Sequence, residues 1–102
     1  MITFTGVVRK IDSFGRFTIP KKLIKNLGFS EELTGEVVNF AGERALRISD
    51  DGQGYLDIKR DTCSRISLKK NSKQRLGITP KGMATYLFND ADKSILVTFE
   101  SI

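Results

Sequence analysis

Two short spans hold the side chains best suited to chemistry. Lys10-Ile11-Asp12-Ser13-Phe14-Gly15-Arg16 and Lys59-Arg60-Asp61-Thr62-Cys63-Ser64-Arg65 each set an arginine four residues after an aspartate, with a lysine upstream. An Asp that opens a turn accepts backbone N–H bonds, and an Arg four residues on can close a local ion pair. That is the reading for Asp12 and Asp61. Arg16 and Arg65 suit two roles, holding the turn or contacting phosphates and base edges, and both stay open. The neighbourhood is strongly basic. Residues 9–25 carry Arg9, Lys10, Arg16, Lys21, Lys22 and Lys25 against Asp12 alone. Residues 59–75 carry Lys59, Arg60, Arg65, Lys69, Lys70, Lys73 and Arg75 against Asp61 alone. Acids outnumber bases in the remainder, so the net +5 of the 102-residue chain comes wholly from these two segments. Charge polarised in this way points to a polyanionic partner such as a nucleic acid, with the basic face laid along phosphates.

Other chemistry is excluded by residue type. The chain has no His, which removes Ser-His and Cys-His nucleophile systems and His-ligated metals. Its one Cys, Cys63, allows neither an internal disulfide nor a Cys-rich zinc site and reads as an ordinary small residue. No Gly-rich phosphate loop is present. The expectation is a protein that is not an enzyme and needs no cofactor and no metal. The longest apolar runs are only a few residues, so no membrane span is expected. The start, MITFTGVV followed by Arg9-Lys10, lacks a signal-peptide layout, and a cytoplasmic location is expected.

The elements that must carry these residues are mostly strands. Thr3 to Ile11 and Arg16 to Ile19 read as strands around a turn at 12–15. Pro20 stops the second strand and suits the first position of a helix over Lys21 to Leu27. That helix turns Leu23, Ile24 and Leu27 to one side and Lys21, Lys22 and Lys25 to the other, and Gly28 caps it. Glu36 to Phe40 and Arg44 to Ile48 form a hairpin. Asp50 to Gly54 reads as a polar linker. The pattern then restarts, with strands over Tyr55 to Arg60 and Arg65 to Leu68 and a helix over Lys70 to Leu76 capped by Gly77. A hairpin of Ala84 to Phe88 with Ser94 to Phe99 follows. A shift of 49 residues overlays the halves without a gap. Lys10, Asp12, Arg16, Leu27 and Gly28 then meet Lys59, Asp61, Arg65, Leu76 and Gly77 as identities. The chain therefore reads as two ββαββ modules, 1–51 and 52–102. Neither is long enough to bury a core alone, so together they should form one mainly β barrel with two short helices. The buried positions expected are Leu23, Leu27, Val37, Leu46, Ile48, Leu76, Leu87, Ile95 and Val97. Closure of the barrel within one chain, as a pseudo-dimeric monomer, and exchange between two chains as a homodimer both remain open.

Residues 5–29, TGVVRKIDSFGRFTIPKKLIKNLGF, resemble the DNA-binding domain of the AbrB family, the swapped-hairpin group that includes SpoVT, MazE and MraZ. The second half keeps the skeleton D-x-x-x-R followed by L-G and an apolar residue, and two modules in one chain resemble the MraZ arrangement. The resemblance implies a swapped-hairpin, cradle-loop barrel. It implies DNA contact through basic residues of the first hairpin, its D-x-x-G-R loop and the short helix. Arg9, Lys10 and Arg16 match the family's basic positions. Where the family usually places two Arg after Leu23, this chain has Ile24 and Lys25, with Lys21 and Lys22 supplying charge nearby. The second module has Ile58 opposite Arg9, Ser64 opposite Gly15 and Lys69 opposite Pro20.

The leading expectation is a transcriptional regulator that binds double-stranded DNA. Its candidate contacts are Arg9, Lys10, Arg16, Lys21, Lys22, Lys25, Lys59, Arg60, Arg65, Lys69, Lys70 and Lys73. The alternative is an antitoxin-like module that neutralises a protein partner. Relatives of that kind usually add an acidic tail, whereas here the second module runs nearly to Ile102.

Overall fold

A computed structural model describes residues 2–30, 32–60 and 64–100. Eight strands and two helices follow one another as β1 (Ile2–Lys10), β2 (Phe17–Thr18), α1 (Lys21–Asn26), β3 (Leu33–Phe40), β4 (Glu43–Ser49), β5 (Leu56–Ile58), β6 (Arg65–Ile66), α2 (Lys70–Leu76), β7 (Met83–Asn89) and β8 (Ser94–Glu100). The mainly β class holds. The strands fall where Val, Ile, Thr and Phe concentrate, because β-branched and aromatic side chains fit a pleated, half-buried surface.

Six strands make an antiparallel sheet in the order β1-β7-β8-β4-β3-β5, and β2 pairs with β6 in a second, two-stranded ladder. The order reads the same when β1, β3 and β4 are exchanged with β5, β7 and β8. At the central seam Leu46 faces Val97, Arg47 faces Leu96 and Ile48 faces Ile95. In the small ladder Phe17 faces Ile66. Both Arg47–Leu96 and Phe17–Ile66 are 49 residues apart, the same offset that overlays the halves of the sequence. Strands β1 and β5 stand at the two ends of the order, and no ladder joins them among the described residues.

Period-2 alternation builds the core. Leu46 and Ile48, Tyr86 and Ala84, and Ile95 and Val97 are all fully buried on their strands. Ile11, Phe17, Ile19 and Ile66 close the core from the first hairpin and the small ladder. Of the expected core residues, Leu46, Ile48, Leu76, Ile95 and Val97 are buried. Leu23, Leu27, Val37 and Leu87 are only half-buried, the first three packed against the outside of the core. Phe17 meets Phe99 edge-on at 5.2 Å, and Phe29 meets Phe88 at 6.4 Å. Both are edge-to-face contacts between ring quadrupoles.

Helix α2 covers the expected residues and ends on Gly77, whose φ of 71° is the left-handed cap that Gly adopts without a Cβ penalty. Helix α1 ends one residue earlier than expected, and Pro20 precedes its first turn rather than occupying it. The segment at 50–54 is not a loose linker. Asp51 accepts bonds from Ser49 Oγ at 2.6 Å, the Gln53 N–H at 2.9 Å and the Arg47 guanidinium at 3.1 Å. Gly54 then passes so close to Gly35 that a Cβ would lie 2.6 Å from the Gly35 oxygen. Short polar side chains capture the backbone here, which is why a stretch that looks like a spacer is tied down.

The arginine at the seam is a residue that sequence reasoning passed over. Arg47 Nε lies 3.0 Å from Asp92, its Nη2 3.1 Å from Asp51 and its Nη1 3.6 Å from Glu36. Its guanidinium, largely buried, is held charged. Burial works against that state, and the bonds the guanidinium donates to Asp51 and Asp92 outweigh it. The Arg47–Asp92 pair crosses between the two halves of the chain beside the β4–β8 seam.

Candidate nucleic-acid interface

The first basic hairpin is organised by Asp12. Its Oδ1 accepts the N–H groups of Phe14 at 2.9 Å and Arg16 at 2.8 Å, and its Oδ2 accepts Arg16 Nε at 2.7 Å. The local Asp–Arg closure read from the spacing is therefore present in the first turn. Partial burial opposes the Asp12 charge, but the Arg16 backbone and guanidinium and the Phe14 N–H outweigh it and hold the carboxyl below its ordinary value. Gly15 takes φ of 75° to complete the turn. Arg16 itself is half-buried, with its guanidinium over the Phe14 ring at 4.9 Å from the centroid.

The small ladder brings the second basic segment alongside. Thr18 faces Arg65, and the Ile19 N–H donates to Ser64 O at 3.0 Å. Ser64 has φ of 61°, so the second turn keeps the left-handed backbone of Gly15 although a side chain is present. Asp61 and Cys63, and with them the expected Asp61–Arg65 pair, lie outside the described residues.

Contacts across the halves gather several of the expected cations. Lys73 of α2 donates from Nζ to Phe14 O at 3.3 Å, and Lys70 and Lys73 line a notch of about 250 Å³ beside Ser13, Phe14 and Gly15. A second hollow, of about 1020 Å³, brings Lys21 and Lys25 of α1 together with Lys59 and Arg60 of the second half. Its floor is Ile24, Phe29, Leu33 and Ile58, and Glu32 and Asp57 also line it. Other expected contacts stand apart from these two groups. Arg9 is exposed on β1 and its guanidinium turns back to its neighbour's carbonyl, Val8 O, at 3.0 Å. Lys10 is exposed at the end of β1, Lys22 is exposed on α1, and Lys69 is exposed just before α2. Among the described residues, no cluster of acidic, Cys or His side chains could hold a metal.

Tyr86 anchors this surface to the main sheet. Its buried hydroxyl donates to Thr18 O at 2.6 Å, across 68 residues of sequence. Burial pushes the phenol well above its usual range, so it stays protonated and a donor. No helix is long and apolar enough to cross a membrane among the described residues. No family model, curated protein or solved structure matches the chain.

Proposed function

We propose that the chain is a double-stranded DNA-binding regulator of the AbrB type, with two tandem modules completing one swapped-hairpin domain. The observation that carries the reading is the Asp12–Arg16 turn. It fixes a basic hairpin tip against Lys73 of the other half, within segments that hold all of the chain's net positive charge. Side chains fixed before binding lose less entropy on meeting phosphates, and Arg offers the planar fork that suits phosphates and guanine edges. The symmetric strand order supports the two-module reading, and the 25-residue resemblance supports the family. Binding in one chain or between exchanged chains is part of the same proposal.

The test is a titration of the full chain with duplex DNA, read by fluorescence anisotropy at two salt concentrations. Neutralising about six to ten phosphates lowers affinity by roughly 10³ to 10⁵ between 50 and 200 mM salt. No binding at low salt, or a flat salt response, refutes the reading.

A further inference from the structure

Phe14 sits at the tip of the first turn with 71% of its surface exposed, the most of any large apolar side chain described. Turn tips normally carry Gly, Asn, Asp or Ser, and the local gain for this ring is limited to the Arg16 guanidinium 4.9 Å from its centroid. Yet the structure holds this residue on three sides. Its N–H donates to Asp12 Oδ1 at 2.9 Å, its carbonyl accepts Lys73 Nζ at 3.3 Å, and the Arg16 guanidinium lies over its ring. Lys70 lines the notch alongside. The result is a pinned apolar tip ringed by cations. That combination matches a stacked base step between two phosphate strands, where apolar surface lies inside and negative charge outside. An apolar protein pocket would instead desolvate Lys70 and Lys73 with no anion to meet them, Arg16 alone being already paired, with Asp12 at 2.7 Å.

We propose that Phe14 is a wedge that enters a base step of bound duplex DNA, partly unstacking it, while Arg16, Lys70 and Lys73 meet the flanking phosphates. The inference rests on the DNA-binding reading above. Apolar side chains of this kind unstack and kink a duplex from the minor groove, and pyrimidine–purine steps yield most easily. The 49-residue offset puts Cys63 opposite Phe14, so each chain carries one such wedge and makes one kink.

The experiment uses the full chain at low salt with duplexes that differ only in the central step, TA or an A-tract. 2-Aminopurine at that step reports unstacking. Wild type should raise its fluorescence more at TA than in the A-tract. Phe14→Ala should abolish the rise and weaken binding about tenfold, the scale of one lost base–aromatic stack, with an unchanged salt slope. Phe14→Leu, still an apolar wedge, should recover part of both. Circular dichroism of each variant confirms folding, which an exposed side chain should not disturb. If wild type binds without a fluorescence change, or Phe14→Ala unstacks as well as wild type, the wedge is wrong and DNA binding stands. If wild type binds no duplex, both readings fall. If Phe14→Ala instead converts a dimer to a monomer in sedimentation with DNA affinity intact, the ring is a protein contact and the wedge is overturned.

Discussion

Replacing Tyr86 with Phe removes one hydroxyl from the centre of the molecule and leaves the ring in place. The hydroxyl spans from β7 to Thr18 of β2, so its loss acts on the junction between the main sheet and the β2–β6 ladder. The residue is fully buried, and water cannot readily take over the Thr18 carbonyl. A net hydrogen bond contributes about 1 kcal/mol, and stranding its buried partner costs up to about 1–3 kcal/mol. The expected loss is therefore about 1.5–2 kcal/mol, which lowers Tm by roughly 6–16 °C for a domain near this size. Urea unfolding followed by circular dichroism measures it, and the slope m should not change, because the same surface is exposed on unfolding. The alkaline limb gives a second readout. The Tyr86 phenol is raised in the folded state, so it contributes stability below its unfolded value of 10.0 and loses it as pH climbs above that value. Tyr86→Phe lacks this titration, and the stability gap should narrow above pH 10. A gap below about 0.5 kcal/mol at pH 7, or one that widens in alkali, refutes the argument that this bond joins the sheets.

Asp12→Asn keeps an oxygen for the Phe14 and Arg16 N–H groups but turns a donor toward Arg16 Nε. Because Asp12 is depressed in the folded state, wild type holds its extra stability above about pH 4 and loses it as pH falls, so the variant should show a flatter acid limb in urea midpoints between pH 7 and 2.5. Gly54→Ala would drive a Cβ into the Gly35 backbone and should cost about 1–3 kcal/mol in chemical denaturation. Ser64→Gly relieves a left-handed side-chain residue and should raise stability by about 0.5–1 kcal/mol in the same assay. In DNA titrations, Arg16→Ala should narrow the gap between target and random duplexes. Arg65→Ala should weaken both about equally and lower the salt slope by about one.

The mainly β frame was legible because its signals are local. Alternating β-branched residues mark the strands, Gly28 and Gly77 mark the helix ends, and the 49-residue offset found in the sequence recurs in the pairs at the seam and in the small ladder. The Asp12–Arg16 closure was legible for a similar reason, since an Asx turn places its partners two and four residues away. Contacts set by topology were not. Arg47 lies in mid-strand on β4, and of its partners only Asp51 is close in sequence, four residues on, while Glu36 and Asp92 come from β3 and from the turn before β8. Tyr86 and Thr18 meet only because β7 packs behind the small ladder. No spacing rule reaches across such distances.

The same contrast separates scaffold from surface. Position 64 takes the left-handed backbone of position 15 although Ser stands where the first half has Gly, so the conformation holds where the residue type does not favour it. A left-handed non-Gly residue costs about 1–2 kcal/mol, and a path kept at that cost is fixed by packing. For Ser64 that packing is visible, because it is buried and its carbonyl accepts the Ile19 N–H of the first half. Side-chain identity is under no such constraint. Across the offset, the buried Ile58 stands opposite the exposed Arg9, and Lys69 stands opposite Pro20. Matching backbone with differing side chains is what the proposed two-module reading requires: one shared frame that leaves Arg9 exposed at one end of the strand order and Ile58 buried at the other.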